Sequence, residues 1–262
     1  MPLEALIFDV DGTLAETEEI HRRAFNAAFA KFGLDWVWPC DLYRDLLRVT
    51  GGKERIRHFV EAHAPRQADK ALAYLAEIHA AKNALYGELV ARGTAVARPG
   101  ILRLVDEARR HGLRLAIATT TSPVNVEALL LSLFGPAGVT LFEVIGAGDC
   151  VAAKKPAPDI YRFVLAALGV TPSRCVAFED TQNGIAAAQA AGVPVVATPS
   201  FYAGEDDFSR ASLLVSDLGE PENGCRHLGG AKLAGALIDV AALRRLVDGA
   251  AANARSAADM GG

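Results

Sequence analysis

Short, largely apolar runs alternate with amphipathic segments along most of this 262-residue chain. The runs are ALIF (5–8), LRLAIAT (113–119), FEVIGA (142–147), CVAFED (175–180), VPVVAT (193–198) and a weaker SLLVSDL around Val215. The segments that follow them carry apolar residues three and four positions apart, which is typical of helices. They include 101–111, 124–133, 158–168 and 184–191. Strands that are apolar on both faces belong to parallel sheets covered on both sides. The sequence therefore predicts an α/β fold with a Rossmann-like parallel sheet.

The alternation stops between residues 17 and 92, where long helical patterns occur without a convincing strand between them. These patterns are EEIHRRAFNAAFAKFG (18–33) and DKALAYLAEIHAAKNALYGELVARG (69–93). The main pattern resumes near Pro99-Gly100, a typical linker edge. We therefore predict a core formed by residues 1–16 and 93–262. Residues 17–92 are predicted to form an inserted α-helical unit.

Composition and charge narrow the range of partners. The formal net charge is -4 and no dense Lys/Arg patch is visible, which argues against nucleic acid as a partner. The four cysteines are far apart and form no CxxC pair, so they are interpreted as thiols of a reducing compartment. No apolar run approaches the length of a membrane span, and the first strand begins too early to leave room for a signal peptide. A cytoplasmic protein without a membrane partner is expected.

Polar side chains follow the ends of several predicted strands. They are Asp9 and Asp11, the Thr119–Ser122 hydroxyls, the lysines of AAKKPAPD (152–159), and Glu179, Asp180 and Thr181. Ligands of parallel sheets bind beyond the carboxyl ends of the strands, so these groups are expected along one rim. A single Asp, Ser or Thr there is explained by helix capping, but clustered carboxylates repel one another and require a cation. Mg²⁺ is the usual ion where phosphate is also bound, and we expect it here.

Motifs in this order resemble a known family. FDVDGT (8–13), the strand end at Thr119, KKPAPDIY (154–161) and FEDTQNGI (178–185) resemble the four motifs of the haloacid dehalogenase superfamily of phosphotransferases. A helical insertion after the first motif is similar to the cap of the subgroup that contains β-phosphoglucomutase and phosphoglycolate phosphatase. The resemblance implies that residues 17–92 form a cap that sets substrate specificity and that residues 1–16 and 93–262 form the catalytic core. Within it, TGGKERI (50–56) most resembles CbbY-type sugar bisphosphate phosphatases.

The resemblance implies a specific activity. The expected enzyme is a Mg²⁺-dependent phosphatase that converts xylulose-1,5-bisphosphate to xylulose 5-phosphate through an aspartyl-phosphate intermediate. It implies a role in carbohydrate metabolism, with the Calvin cycle as the expected setting. The expected partner is a small sugar phosphate, and the expected oligomeric state is a monomer.

The acids of the first and fourth motifs receive distinct roles. Asp9 is the predicted nucleophile, since a covalent intermediate divides the hydrolysis into two easier displacements. Asp11 is the predicted acid/base group, and we expect burial and neighbouring acids to keep it partly protonated. The metal ligands are predicted to be a carboxylate oxygen of Asp9, the backbone carbonyl of Asp11 and the carboxylate of Asp180. Whether Glu179 binds the metal directly is left open.

The second and third motifs are expected to bind the transferring phosphoryl group. Thr119 corresponds to the second motif, and Thr120 and Thr121 beside it are expected to contact substrate through hydroxyl or backbone N–H groups. Lys155 matches the third motif and would screen the repulsion between Asp9 and the phosphate. Lys154 is the competing candidate, and Lys155 is preferred because it directly precedes the proline.

In the cap, candidate substrate-binding residues are Glu18, Thr50, Gly51, Gly52, Lys53 and Lys82. Gly51 and Gly52 are predicted to present backbone amides next to Lys53 for a second, non-reacting phosphate, although a plain glycine turn explains them equally well. Glu18 is expected to contact sugar hydroxyls. By resemblance, Lys82 aligns with a phosphate-binding lysine of the mutases.

Further candidates on the cap helices are His79, beside Lys82, and His21, which resembles a position that orients the acid/base group. Tyr43 and Arg44 are considered without an assigned role.

Other chemistries remain possible at this stage. A sugar phosphate mutase of the β-phosphoglucomutase type shares every motif and is the main alternative. Hydrolytic dehalogenation does not need an acid at Asp11, and phosphonate hydrolysis through a Schiff base on Lys53 occurs in relatives that lack that acid. A non-catalytic sugar-phosphate sensor would not require Asp9, Asp11 or Lys155.

Overall fold

The computed structural model describes residues 2–259, with side chains described to residue 250. In this part of the chain one seven-stranded sheet has the order β3-β2-β1-β4-β5-β6-β7. The strands are β1 (Ala5–Phe8), β2 (Arg114–Ala118), β3 (Val144–Gly146), β4 (Cys175–Glu179), β5 (Val195–Ala197), β6 (Leu213–Val215) and β7 (His227–Gly230). Neighbouring strands are parallel except for the antiparallel pair β6 and β7. The predicted α/β, Rossmann-like fold is confirmed.

The helices of the described residues fall into two groups. Between β1 and β2 lie α1 (Glu18–Lys31), α2 (Cys40–Leu46), α3 (Gly52–His63), α4 (Ala68–Ala73), α5 (Leu75–Ala91) and α6 (Ile101–Arg110). The later helices are α7 (Pro123–Phe134), α8 (Asp159–Leu168), α9 (Gln182–Ala190) and α10 (Val240–Asp259). The predicted helices correspond to α1, α4 to α5, and α6 to α9. Helices α2, α3 and α10 and strand β7 are not among the elements predicted from the sequence.

The central strands are buried on both faces because helices cover each side of the sheet. In β1, Leu6 and Phe8 pack into one hydrophobic cluster, whereas Ala5 and Ile7 pack into the cluster on the opposite face. Phe8 stacks on Phe178 of the neighbouring β4 with ring centroids 4.6 Å apart. This packing explains why β1 carries no polar residue until the chain leaves the sheet at its carboxyl end.

Helices α1 to α5 have a separate aromatic cluster, which includes Phe25, Phe29, Trp36, Trp38, Tyr43 and Phe59. Tyr202, from the segment after β5, also packs into this cluster. The two connections between these helices and the sheet lie side by side, since Ala15 and Ala97 form an antiparallel bridge. The predicted cap, residues 17–92, encloses α1 to α5, and the division into domains stays a prediction. Residues 260–262 of the predicted core lie outside the described part of the chain.

The structure bears on two predictions from the sequence, that the chain has no membrane span and that its cysteines are thiols. Among the helices described, none is both long and apolar enough to pass through a bilayer. The four cysteines are free thiols, with Cys175 and Cys225 buried and Cys40 and Cys150 exposed.

Candidate active site

A buried lysine joins the first, third and fourth motifs. Asp9 follows β1 directly, and its backbone N–H donates to the carbonyl of Phe178 at 3.0 Å. The Lys155 ammonium donates to Asp9 Oδ1 at 2.7 Å and to Glu179 Oε1 at 2.6 Å. Burial raises the pKa of Asp9 to about 7, with Lys155 opposing the shift. Burial alone would lower the pKa of Lys155, but Asp9 and Glu179 raise it above its ordinary value, so the ammonium stays charged.

An acidic cluster surrounds this lysine. Carboxylate oxygens of Asp9, Glu179 and Asp180 lie within 4.8 Å of one another, and all three residues are buried. Burial and the charge of Asp9 raise the pKa of Asp180 well above its ordinary value. Gly12 has a φ of +81°, and a Cβ at this position would overlap the carboxylate of Asp180. The backbone therefore approaches Asp180 so closely that only glycine fits.

Asp11 lies outside this cluster of side chains. Its Oδ1 accepts hydrogen bonds from Thr17 Oγ1 at 2.5 Å and from His21 Nε2 at 2.9 Å. Burial would raise the pKa of Asp11, but His21 and Thr17 outweigh burial and hold it below its usual range. The expectation of a partly protonated Asp11 is therefore wrong for this structure, because hydrogen bonds from His21 and Thr17 favour the ionised carboxylate.

A further basic group stands behind His21. Its Nδ1 lies 2.7 Å from the Lys82 ammonium, and its ring stacks on Tyr86 with centroids 4.2 Å apart. Burial lowers the pKa of Lys82 to about 8. Lys82, His21 and Asp11, which the sequence suggests separately, thus form one chain of contacts.

The second motif follows β2. Thr119 is buried, and its backbone N–H donates to the carbonyl of Gly146 at 3.0 Å. The N–H of Thr121 donates to Thr119 Oγ1 at 3.3 Å, just before α7 begins. The hydroxyls and the helix N-terminus are thereby placed together at the rim.

A cavity of about 750 Å³ separates the rim from helices α1 to α5. Every site residue predicted from the sequence lines it: Asp9, Asp11, Glu18, Thr50, Gly51, Gly52, Lys53, Lys82, Thr119, Thr120, Thr121, Lys155 and Asp180. The structure therefore brings the whole predicted set to one space, with the core acids on one side and the cap residues on the other.

Ion pairs cross the cavity mouth. Lys53, in the first turn of α3, contacts Asp149 at 2.7 Å, and Lys154 contacts Asp149 at 3.0 Å and Glu54 at 3.1 Å. Hydrogen bonds from Lys53 and Lys154 lower the pKa of Asp149 to about 2. Lys154 is thus engaged at the mouth, while Lys155 is the lysine that contacts Asp9.

Other candidates from the predicted cap are Glu18, Tyr43, Thr50 and His79, and hydrogen bonds hold the first three. Tyr43 donates to Glu18 Oε2 at 2.7 Å and accepts from Arg55 at 3.0 Å. Asn183, at the start of α9, donates to Thr50 Oγ1 at 3.3 Å. Burial lowers the pKa of His79 to about 4, so its ring is neutral at pH 7.

Sequence reasoning missed several residues that organise the site. Arg98 is buried and donates to the carbonyl of Gly12 and, at 2.8 and 2.9 Å, to those of Thr198 and Pro199. Tyr161 donates to Glu179 Oε1. Tyr161 lies inside the third motif, but its apolar spacing in α8 marks it only as a core residue.

Comparisons with known proteins agree with this arrangement. A family model of haloacid dehalogenase-like hydrolases matches residues 3–192. The chain belongs to this family, as its motifs predict. It is an enzyme, a phosphatase that acts on phosphoric monoesters.

Individual relatives are similar over most of their length. Protein CbbY of Rhodobacter capsulatus is 53% identical over 218 residues, which cover 83% of this chain and 95% of the relative. A plasmid-encoded Protein CbbY of Cupriavidus necator is 47% identical, covering 92% of this chain and 96% of the relative.

Solved structures give the same result. CbbY from Rhodobacter sphaeroides in complex with phosphate has a TM-score of 0.78 at 50% identity, covering 82% of this chain and 94% of the other. A mutant of CbbY from the same organism, in complex with xylulose-1,5-bisphosphate, has a TM-score of 0.77 at 48% identity, covering 90% and 100%. The predicted similarity to CbbY-type proteins is confirmed.

Proposed function

We propose that this enzyme hydrolyses xylulose-1,5-bisphosphate to xylulose 5-phosphate in a Mg²⁺-dependent reaction. The observation that carries the proposal is the cavity, which has the Asp9–Lys155 pair on the core side and the cations Lys53 and Lys82 on the other. A sugar bisphosphate has two dianionic ends and fits such a distribution of charge. The similarity to a CbbY mutant that binds xylulose-1,5-bisphosphate supports the same substrate.

In the first step, a carboxylate oxygen of Asp9 bonds to phosphorus while the bond from phosphorus to the sugar oxygen breaks. This produces an aspartyl phosphate on Asp9, and the sugar leaves as an alcohol because Asp11 protonates its oxygen. Lys155 contacts Asp9 and offsets the repulsion between its carboxylate and the incoming dianion. Thr119, buried at the end of β2, contributes its hydroxyl to the phosphoryl oxygens.

Asp11 moves the protons of both steps. Its carboxylate is ionised in this structure, but an approaching phosphate dianion raises its proton affinity by charge repulsion. As the dianion binds, Asp11 takes up a proton from solvent, gives it to the leaving oxygen and recovers one from the water that attacks the aspartyl phosphate. The contacts from Thr17 and His21 fix its orientation throughout. The second displacement releases inorganic phosphate and restores Asp9.

The acidic cluster fits Mg²⁺. Its carboxylates are buried and close enough to share an ion. Burial and the charge of Asp9 raise the pKa of Asp180, and a cation would offset both effects. The proposed ligands are the carboxylates of Asp9 and Asp180 and the backbone carbonyl of Asp11. When bound, Mg²⁺ supplies positive charge that stabilises the phosphoryl oxygens in the transition state.

The non-reacting phosphate is proposed to bind on the cap side. Lys53 and the amides at the start of α3 provide positive charge there, and Glu18, which accepts a hydrogen bond from the buried Tyr43, faces the sugar. On this proposal residues 17–92 form the specificity cap and residues 1–16 with 93–262 form the catalytic core. We further propose that the enzyme is a cytoplasmic monomer that takes a small sugar phosphate and no nucleic acid or membrane partner.

The test is phosphate release from a panel of sugar monophosphates and bisphosphates, with Mg²⁺ and with EDTA. We expect kcat/KM for xylulose-1,5-bisphosphate to exceed that of the monophosphates by about tenfold or more, which corresponds to one additional charge-assisted contact. Phosphorus NMR of the product identifies which phosphate is lost. Turnover of a sugar phosphate without release of inorganic phosphate would establish a mutase, and turnover in EDTA would refute the metal requirement.

A further inference from the structure

Tyr161 is a fully buried residue of α8 with no role in the scheme above. Its hydroxyl donates to Glu179 Oε1, the same oxygen that accepts from Lys155 at 2.6 Å. The ammonium of Lys155 also lies 5.5 Å from the centroid of the Tyr161 ring. Tyr161, Glu179, Lys155 and Asp9 thus form a continuous buried chain that ends at the proposed nucleophile.

The Lys155 ammonium is shared between two carboxylates at nearly equal distances, 2.7 Å to Asp9 and 2.6 Å to Glu179. Of these two carboxylates, Asp9 is the one that attacks phosphorus in the proposed reaction, so its interaction with Lys155 is the one that acts on the transferring group. The hydroxyl of Tyr161 donates to the Glu179 oxygen that holds Lys155, so it offsets part of the charge on that oxygen. This weakens the competing hold of Glu179 on the ammonium.

The position of Glu179 is fixed from two sides. Tyr161 anchors Oε1, and a Cβ on Gly184 of α9 would overlap Oε2. Oε2 is buried and has no hydrogen-bond partner among the described residues. Glu179 is therefore confined between α8 and α9, and its polar contacts are made through the oxygen that Tyr161 and Lys155 share.

We propose that Tyr161 is a positioning residue that acts through Glu179 to direct the Lys155 ammonium toward Asp9 and the transferring phosphoryl group. This inference rests on the proposed aspartyl-phosphate chemistry. It does not depend on which phosphate ester is the substrate. The stabilised state is the one in which phosphorus is bonded to both the attacking and the leaving oxygen, where negative charge on the phosphoryl oxygens is closest to Lys155.

The test is Tyr161→Phe, which removes the hydroxyl and keeps the ring. With any ester that the wild type hydrolyses, we expect kcat to fall about tenfold and KM to change less than about twofold, because the lost contact acts in the transition state. Orthovanadate adopts a pentacoordinate geometry, so its inhibition constant should rise in proportion to the loss in kcat. The inhibition constant of inorganic phosphate and the Mg²⁺ concentration for half-maximal activity should remain unchanged.

A double-mutant cycle identifies the route of the effect. In a Glu179→Gln background, Tyr161→Phe should cause little further loss, since the two residues act on Lys155 together. Additive losses would refute action through Glu179, and full activity of Tyr161→Phe would refute the inference as a whole.

Two matched variants separate positioning from folding. Val164→Ala truncates a buried neighbour on α8 and should lower the melting temperature without lowering kcat. Tyr74→Phe removes a hydroxyl from an exposed tyrosine and should change neither. If Val164→Ala reproduced both the loss in kcat and the rise in the vanadate constant, the role of Tyr161 would be structural only. If the wild type released no phosphate from any ester, the proposed function would fail instead.

Discussion

Two lysine–carboxylate pairs in this protein have the same separation and opposite surroundings. Lys155 and Asp9 are 2.7 Å apart with side chains 5% and 11% exposed. Lys53 and Asp149 are also 2.7 Å apart, but their side chains are 32% and 62% exposed. Water screens the outer pair, so it contributes little net energy and exchanges partners readily. The inner pair lies where the effective dielectric is low, and removing Lys155 leaves the buried carboxylates of Asp9 and Glu179 without their cation.

The difference in exposure between the two ion pairs agrees with the function proposed for each. The inner pair must remain fixed while charge develops on the phosphoryl group, so burial and a second partner for Lys155 suit it. The outer pair must open when the second phosphate of a substrate arrives, so a screened and exchangeable contact suits it. The distance between charged atoms alone does not distinguish these roles.

The largest effect is expected at Asp9, the carboxylate of the inner pair. Asp9→Asn should lower kcat by about 10⁴-fold or more, because an amide does not replace the attacking carboxylate. Substrate affinity should persist, and calorimetry with the bisphosphate measures it. Residual activity of a few per cent, after mass spectrometry has excluded deamidation, would contradict the assignment of the nucleophile.

Lys155→Met tests the cation of the same pair. We expect a loss of about 10³-fold in kcat, since the side chain keeps its volume but no longer offsets charge near phosphorus. Asp9 and Glu179 would be left without their ammonium partner, so the melting temperature should also fall. A loss in kcat below about tenfold would show that burial gives this pair no special role.

Lys53→Met makes the matching change in the outer pair. We expect KM for the bisphosphate to rise about tenfold, with kcat and the kinetics of a monophosphate nearly unchanged. Asp149→Asn, which frees Lys53 from its partner, should lower the same KM. Added salt should weaken bisphosphate turnover by the wild type more than by Lys53→Met. Equal losses for both classes of substrate would indicate a general defect in the cap.

The smallest effect concerns pH and Lys82, which is buried like the inner pair but lies on α5, in the proposed cap. Burial lowers the pKa of Lys82 from its ordinary value of 10.5 to about 8, so its ammonium loses a proton above about pH 8. We expect kcat/KM to fall about three- to tenfold between pH 7.5 and 9, because a neutral amine no longer attracts substrate phosphate. Lys82→Met should abolish this alkaline limb.

Stability should respond to Lys82 in the opposite sense. Between about pH 8 and 10.5 the unfolded chain binds more protons at Lys82 than the folded chain does. The contribution of Lys82 to the free energy of unfolding therefore rises with pH in this window. Denaturant titrations of the wild type and Lys82→Met at several pH values measure it. A parallel fall in activity and in this contribution would assign the alkaline limb to unfolding.

Local sequence predicts the strands that are buried on both faces of the sheet. The apolar run ALIF corresponds to β1, Ala5–Phe8, without a shift at either end. In contrast, β7 is HLGG, whose glycines give it a low strand propensity, and it forms because β6 offers an antiparallel edge. The helical spacing of Val240, Leu243 and Val247 in α10 was a usable signal that was overlooked.

The same distinction holds for the site. Motif residues that follow strand ends were found because topology gathers them on one rim. Arg98 and Tyr161 were missed because neither is one of the polar residues that directly follow a predicted strand. No local sequence pattern indicates the buried hydrogen bonds that they form. The predicted protonation state of Asp11 was wrong because it depends on hydrogen bonds from Thr17 and His21. The sequence does not show that both side chains donate to the same Asp11 oxygen.

The bridge between Ala15 and Ala97 has a consequence for how such enzymes diversify. It brings the entry and exit of the helical insertion together at a single point beside the sheet. A segment of another length or sequence spliced there would begin and end at the same anchorage, and the strands that carry the acids would not need to shift. New substrates can therefore be sampled by exchanging one contiguous stretch of gene, provided that the new segment keeps the contacts of Thr17 and His21 with Asp11.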